Sequence, residues 1–432
     1  MAKFKKPKLK RTINLFTLTM YGIGIILGAG IYALIGKTAG MAGNSMWLSF
    51  LIASLVGAFT GLSYAELVSM FPKSAAEYIY VKNSFKNRAL AFSVGWIEIA
   101  ADVISASVVA MGFAGYLFEL TGIPMLYGAL GLIFVLSLVN FWGIAESTKL
   151  NVIFAFIELA GLLLVILFAV PHLGSVDYME MPNGFSGVLG ASALIFFAFI
   201  GFEDIANITE ETKDPKKIAP KALIFSIVIT TLIYILVAIS AVSLAPWNTL
   251  AESNAPLAYI VSNTMGQNAF LLMSIIALFA TANTVLVLLV VGAREVYGMS
   301  NDGSLPKFLS RIHNKRRTPW ISVFVVMFIA MAFVFLENIE IVASITDFAT
   351  FVVFFFVNAA AIILRFTHAD MKRRFRIPLN IGKFPLIPLF GLITIIVLTS
   401  HLEPVTIGIG FLLFLTAIPI YYVLRKKSVI KI

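Results

Sequence analysis

The sequence predicts an all-α membrane protein with twelve transmembrane helices. Hydrophobic residues make up 60% of its 432 positions and charged residues only 12%, a far more apolar balance than soluble domains have. Apolar runs of about 20 residues recur along the whole chain, and each is long enough to cross a hydrocarbon core of about 30 Å. The loops between these runs carry most of the charges, and their distribution orients the bundle.

Twelve apolar runs define the spans, which we number in chain order. No small-residue cleavage site follows the first run, so we expect it to be retained as a helix rather than removed as a signal peptide. The spans are predicted at residues 14–37, 44–70, 88–119, 124–144, 150–170, 186–209, 219–245, 267–297, 319–336, 341–365, 384–400 and 403–424.

The basic residues indicate which face of the bundle meets the cytoplasm. If the amino terminus is cytoplasmic, every lysine and arginine except Lys37 lies on the cytoplasmic side, in a tail, in a loop or near the end of a span. This asymmetry is typical of membrane proteins. We therefore expect a multi-pass protein of the cell membrane with both termini in the cytoplasm. Its net charge of +10 then indicates contact with anionic lipids of the bilayer rather than with nucleic acid.

Spans 1 and 6 contain glycine at mid-membrane depth, in the runs GIGIILGAGIY (22–32) and FFAFIGFED (196–204). Irregular backbone is tolerated there only where protein or a water-filled cavity satisfies its polar groups. Gly22 and Gly24 alone are more typical of close helix packing. The cluster at 28–30, matched by Gly201 in span 6, instead predicts two interrupted helices that share a cavity.

The two interruptions are five spans apart and so occupy matching positions of two five-helix units. Because five is odd, the second unit runs in the opposite direction, a layout typical of transporters whose substrate site lies at the broken helices. The amides of residues 28–30 would then face the cavity at a helix amino terminus, ready to bind a carboxylate. Carbonyls freed near Ile26, Phe197 and Ala198 would accept hydrogen bonds from an ammonium group.

The chain is expected to form one membrane domain with short tails. The longest soluble insert, 299–318, is too short to contain a catalytic or nucleotide-binding domain. The predicted parts are a basic cytoplasmic tail at 1–13, a transporter core at 14–365 with inverted repeats 14–170 and 186–365, two additional helices at 384–424, and a cytoplasmic tail at 425–432.

Several motifs resemble those of the amino acid-polyamine-organocation (APC) superfamily. GAGIY (28–32) looks like its first-helix signature, and SYAELVSMFPKSAAEYIYV (63–81) is similar to its second-helix and loop pattern. Further matches are GFEDIANITEETKDPKKIAPKAL from Gly201, AREVYGMSNDGSLPKF from Ala293 and the LRF...RRFRIPL stretch from Leu364. The likeness covers nearly the whole chain, in order.

The resemblance implies two inverted five-helix repeats plus two additional helices, which work by alternating access on a small-molecule amino acid substrate. Phe199 is a further candidate for substrate binding, although it and Phe202 are equally expected to line a gate or pack against the scaffold. The resemblance implies that the amino and carboxyl groups of the substrate are surrounded by Ile26, Gly28, Ala29, Gly30, Phe197, Ala198, Ile200 and Gly201.

Glu158 in span 5 calls for an explanation, because placing an ionisable group at the membrane centre costs at least about 2.5 to 3.5 kcal/mol of insertion free energy. The resemblance places it where some sodium-independent relatives hold a lysine. We interpret Glu158 as a proton carrier that burial keeps protonated. One alternative is that it helps to hold Na⁺, with Thr281 and Thr284 of span 8 as oxygen ligands. The other is a structural glutamic acid hydrogen-bonded between helices.

Glu98 and Asp102 lie four residues apart and therefore share one face of span 3. Carboxylates there would attract a cationic side chain of the substrate or relay protons, unless neighbouring helices satisfy them. All four histidines fall in loops or at span ends, so the sequence predicts no imidazole site for a metal or haem. We expect no cofactor, no metal and no obligatory protein partner.

These observations predict a proton-coupled secondary transporter of amino acids. Its substrates are expected to have neutral side chains, and its substrate range can be broad. The alternatives are an amino acid exchanger, or a carrier of cationic amino acids or polyamines that uses Glu98 or Asp102. A membrane enzyme is less favoured because no nucleophile, base or metal-ligand set converges. A channel is less favoured because repeated polar rings are absent from the spans.

Overall fold

The computed structural model describes residues 8–253, 255–335 and 339–426, nearly all of them helical. Within these residues, ten helical stretches are long and apolar enough to cross a membrane, which confirms an all-α membrane protein. The predictions for tail residues 1–7, for residue 336 at the end of span 9 and for tail residues 427–432 lie outside the described residues.

Two apolar helices are shorter than the predicted spans they occupy. Trp320–Phe333 in span 9 and Leu386–Thr399 in span 11 have 14 residues each. A helix of that length rises only about 21 Å, less than a hydrocarbon core of about 30 Å. The complete set of twelve crossings therefore stays a prediction.

Spans 2 to 5, 7, 8, 10 and 12 are long helices between short connections. The amide oxygen of Asn87 shows why span 3 begins where it does: it accepts from the N–H groups of Ala89 and Leu90 at 3.0 and 3.1 Å and so caps the first turn. The helices are Met46–Met70, Arg88–Thr121, Met125–Trp142, Ile144–Ala169, Pro215–Leu244, Gln267–Asn301, Ile339–Thr367 and Pro404–Lys426.

Short elements lie in the segments between spans. The chain forms the helices Ala76–Phe85, Trp247–Glu252 and Pro256–Met265, and a two-stranded antiparallel hairpin that pairs Asn380–Ile381 with Phe384–Pro385.

Both predicted interruptions are present. Span 1 consists of two helices, Leu15–Ile26 and Ala29–Ala42, with Leu27 and Gly28 between them. Span 6 begins as the helix Gly184–Ile195, tightens into the 3₁₀ turn Phe196–Phe199, and resumes as the short helix Asp204–Asn207. The glycine runs therefore predicted the positions of both breaks.

The two interrupted spans lie at the centre of the bundle. The second helix of span 1 packs against the first helix of span 6, while its first helix packs against spans 5 and 7. Span 2 packs along span 7, and span 3 along span 8. The pairs of spans 1 and 6, 2 and 7, and 3 and 8 each join segments that are five spans apart in the chain.

Buried ion pairs close one end of the bundle, which we call the basic end because it carries the loops 71–75, 302–319 and 368–383. Glu66 accepts from Arg365 at 2.5 Å and from Arg373 at 2.9 Å. In a second pair, Glu211 accepts from Nε of Arg294 at 3.1 Å. Each of these side chains is less than a tenth exposed, so the pairs join spans 2, 8 and 10 to the neighbouring loops.

The segment before span 1 is joined to the segment after span 6 at the basic end. Ile13 forms a parallel β-bridge with Thr212. The N–H of Thr12 donates to the Glu211 carbonyl, and the N–H of Lys213 donates to the Ile13 carbonyl, both at 2.9 Å. Main-chain hydrogen bonds therefore connect the two interrupted spans outside the bundle.

Candidate functional site

The two breaks enclose a buried cavity of about 40 Å³. Side chains of spans 3, 8 and 10 complete its wall. The predicted site residues that line it are Ile26, Ala29, Gly30, Glu98, Asp102, Phe197, Ala198, Ile200 and Thr284.

Side chains from spans 7 and 8 satisfy the break in span 1. The N–H of Ala29 donates to Oγ1 of Thr284 at 3.1 Å, and the Ile26 carbonyl accepts from the Tyr234 hydroxyl. Gly28 lies in the turn itself, outside the cavity lining, and a Cβ there would stand only 2.0 Å from Thr284 Oγ1. The turn therefore has room for glycine alone.

Tyr234 also serves the break in span 6, because its hydroxyl lies 3.0 Å from the Ala198 carbonyl. One hydroxyl has one proton, so it donates to Ile26 or to Ala198 but not to both at once. Sequence reasoning missed Tyr234, since a tyrosine in an apolar helix shows no signal that separates it from a packing residue. Its position makes it the polar link between the two breaks.

Gly201 shapes the turn in span 6 without lining the cavity. Its φ of +113° is a conformation that favours glycine, and a Cβ would stand 2.5 Å from a side-chain carbon of Ile25. Its N–H donates to Oε2 of Glu203 at 3.0 Å. Glu203, which also lines the cavity, thus holds the unwound segment in place.

The breaks touch each other directly at Gly30. A Cβ at Gly30 would stand 2.6 Å from Cα of Ala198, so this approach requires the absence of a side chain. Phe199 lies behind this contact, with its ring edge-on to Tyr234 at 5.1 Å between centroids. Phe202 packs between the rings of Tyr64 and Phe354. Both phenylalanines therefore pack against the scaffold in this structure and lie outside the cavity lining.

Glu158 is completely buried in span 5 and lies outside the cavity lining. Its backbone carbonyl accepts from the Tyr32 hydroxyl at 3.3 Å. Neither carboxylate oxygen has a hydrogen-bond partner within the described part of the chain. The Asn283 amide lies beside this carboxyl and donates to the Gly24 carbonyl at 3.0 Å.

The two threonines of span 8 differ in position. Thr284 lines the cavity, whereas Thr281 lies outside it and donates to the Ala277 carbonyl at 2.8 Å. Thr284 also donates to a carbonyl of its own helix, at 3.2 Å. Both hydroxyls are therefore already engaged with protein atoms.

Three carboxylates, those of Glu98, Asp102 and Glu203, line the cavity. Oε2 of Glu98 and Oδ2 of Asp102 are buried, and neither has a hydrogen-bond partner among the residues that the structure describes. No lysine or arginine is among the described residues that line the wall. In their ionised form these carboxylates would attract positively charged groups to the cavity.

Comparison with known proteins identifies the family. A family described as amino acid permease matches residues 13–426. The chain is 30% identical to the branched-chain amino acid permease BcaP of Bacillus subtilis, over 98% of this chain and 94% of that protein. It is 29% identical to the methylthioribose transporter of the same organism, over 90% of this chain and 88% of that protein.

A more distant relative is cationic amino acid transporter 4 of Mus musculus, which is 28% identical over 84% of this chain and 61% of that protein. All three relatives are transporters by name, and the first and third carry amino acids. The chain therefore belongs to the amino acid permease family of the APC superfamily, and it is a membrane transporter rather than an enzyme.

Proposed function

We propose that the chain is a secondary carrier that moves amino acids across the cell membrane by alternating access. The observation that carries the proposal is the meeting of two interrupted helices around one buried cavity. The close pairs of spans 1 with 6, 2 with 7, and 3 with 8 support two inverted repeats, because a two-fold axis would bring matching helices together.

The broken helices supply the groups that recognise a zwitterion. The helix Ala29–Ala42 begins at the cavity, so its amino-terminal dipole and N–H groups attract a carboxylate. The carbonyls of Ile26 and Ala198 attract an ammonium group from the opposite side of the substrate. Thr284 and Tyr234 occupy these backbone groups now, and the substrate would replace them.

The cavity of about 40 Å³ is far smaller than the roughly 300–1,000 Å³ of most small-molecule sites. It therefore has to widen to admit an amino acid. Buried ion pairs close the basic end, which supports a conformation shut on that side. By the positive-inside rule the basic end and both termini face the cytoplasm, which makes these ion pairs part of the inner gate.

Proton coupling is the mode of energy supply that we favour, with Glu158 as the carrier. A buried carboxylate without a partner is inexpensive only in its protonated form, so it gains and loses a proton as the surroundings open. The hydroxyls of Thr281 and Thr284 already form hydrogen bonds with protein atoms, so they give less support to a sodium site. A purely structural Glu158 is the third possibility.

Uptake into proteoliposomes tests the coupling. We expect an imposed pH gradient, acidic outside, to stimulate saturable uptake of labelled amino acids, and Glu158→Gln to abolish the stimulation while exchange continues. Glu119→Gln, an acid at the outer end of span 3, is the control that keeps it. Stimulation that survives unchanged in Glu158→Gln would remove this residue from the coupling. Linear, unsaturable flux would indicate a channel.

The substrate is proposed to be a neutral amino acid, because the cavity wall combines backbone polarity with apolar side chains. The carboxylates of Glu98 and Asp102 favour a second candidate, a cationic amino acid or polyamine. Competition by leucine, alanine, lysine, arginine and a polyamine decides between them. If the second candidate holds, Glu98→Gln or Asp102→Asn will weaken competition by lysine and arginine more than tenfold and spare the neutral amino acids.

A further inference from the structure

Three buried carboxylates meet between the cavity and the basic end. We call Glu77, Glu98 and Glu295 the acidic triad; they come from the helix Ala76–Phe85, from span 3 and from span 8. One carboxylate oxygen of each lies within 4.8 Å of the other two. The three side chains are at most 4% exposed, so solvent does not screen their mutual repulsion.

The protein supplies little to balance these charges. Among the residues that the structure describes, no lysine or arginine forms an ion pair with the triad. The Asn207 amide donates to Glu77 at 3.0 Å and to Glu295 at 3.2 Å. Its oxygen accepts from the N–H of Ala76 at 2.8 Å, which fixes the amide so that both N–H groups face the triad.

One oxygen of each triad member is left without a hydrogen-bond partner in the described part of the chain: Oε1 of Glu77, Oε2 of Glu98 and Oε2 of Glu295. Asp102 and Asp204 lie close enough to add to the negative potential at Glu295. Burying several uncompensated carboxylates is costly, so either protons or a bound cation must neutralise them. The Tyr64 hydroxyl lies beside Glu77 without completing a hydrogen bond and offers a further oxygen.

We propose that the acidic triad binds a divalent metal cation that prefers oxygen ligands, as Ca²⁺ does. A point equidistant from three oxygens that are 4.8 Å apart lies about 2.8 Å from each, so a small contraction reaches the roughly 2.3–2.6 Å of Ca²⁺–oxygen contacts. Two positive charges balance the triad better than one, and the Asn207 N–H groups stabilise the remainder. The sequence shows no sign of the site because its ligands come from three distant segments.

The site lies behind the cavity wall. Glu98 belongs to both, whereas Glu77 and Glu295 do not line the cavity, so a substrate in the cavity does not reach them. A cation on the triad would hold the Glu98 carboxylate and join span 3 to span 8. The consequence for transport rests on the proposed function: the cation would set the charge that the cavity presents to the substrate.

Equilibrium binding of ⁴⁵Ca²⁺ to the full-length protein, purified in detergent and stripped with a chelator, tests the site. We expect one saturable site per chain and a thermal midpoint that rises with CaCl₂ but not with choline chloride of equal ionic strength. Glu77→Gln and Glu295→Gln should each weaken binding more than about tenfold, since even indirect supports of a ligand contribute that much. Asp347→Asn, which removes a buried carboxylate of span 10, should leave binding intact.

Terbium emission excited through tyrosine gives a second readout on the unaltered chain, with displacement by Ca²⁺ and a weaker signal in Tyr64→Phe as the expected results. Absence of saturable Ca²⁺ binding to the wild-type protein would overturn the proposal and leave protons to neutralise the triad. Binding that persists unchanged in both glutamine variants would overturn it as well. The binding assays contain no amino acid substrate, so neither of these results would contradict the transport proposal. A failure of amino acid uptake, in turn, would not contradict the cation site.

Discussion

The buried acids of the basic end and those of the bundle centre have opposite surroundings. Glu66 and Glu211 each accept from buried arginines, whereas Asp102 and Glu158 have carboxylate oxygens without any described partner. Paired acids join helices to loops and need no further group. Unpaired acids at the centre instead require a proton, a cation or a substrate to neutralise them.

Glu66→Gln is expected to have the largest effect. It leaves Arg365 and Arg373 buried without their carboxylate, and breaking one side of a buried ion pair typically costs about 3–5 kcal/mol of stability. The thermal midpoint of the purified protein and the yield of monodisperse protein measure the loss. Asp347→Asn is the matched control, and equal losses in the two variants would contradict the distinction between paired and unpaired acids.

Gly30→Ala tests the contact between the breaks and should reduce uptake about a hundredfold, because a displacement of about 1 Å at a reacting or binding centre has such consequences. The added Cβ would meet Cα of Ala198 at 2.6 Å, and backbone cannot move aside as a side chain does. Gly112→Ala in span 3 is the control, since its Cβ would meet nothing within 4 Å. Normal uptake by Gly30→Ala would mean that the breaks move apart without cost.

Tyr234→Phe removes the hydroxyl that serves the carbonyls of Ile26 and Ala198. A buried acceptor left unsatisfied costs about 1–3 kcal/mol, so we expect uptake to fall about tenfold or more, together with a lower thermal midpoint. The control is Tyr80→Phe, because the buried Tyr80 hydroxyl has no hydrogen-bond partner among the described residues. Equal behaviour of the two variants would show that the link between the breaks is dispensable.

Asp347→Asn should have the smallest effect on stability. The side chain is fully buried, and neither carboxylate oxygen has a partner within the described residues. An amide of the same shape removes the cost of burying a charge, so we expect the free energy of unfolding to change by no more than about 1 kcal/mol, the typical size for a point substitution. A loss as large as that of Glu66→Gln, measured in the same thermal assay, would reveal a partner.

The sequence predicted the spans and breaks well because both follow from local physics. Long apolar runs and clustered glycines each have a direct structural consequence, as span 3, predicted at 88–119 and found at Arg88–Thr121, illustrates. The partners of the freed backbone groups were not predictable. Tyr234 and Thr284 reach the breaks from spans 7 and 8, and only the packing of distant helices shows that they do.

The acidic triad was unpredictable for the same reason. Glu77 and Glu295 stand 218 positions apart in the chain, and each is an ordinary acid beside other polar residues. Spacing of four residues did place Glu98 and Asp102 on one helix face, and both side chains line the cavity. Local periodicity therefore finds pairs on one helix, whereas a site shared among helices needs the tertiary structure.

Hydrogen exchange at the amides beside the Ile13–Thr212 β-bridge can report how the inner side opens. If opening moves the first helix of span 1 away from the bundle, the hydrogen bonds from Thr12 and Lys213 either break or carry the end of span 6 with them. If they break, those two amide hydrogens exchange with deuterium at the rate of opening. If they hold, both interrupted spans move together as one rigid unit, and the two amides stay protected from exchange throughout turnover.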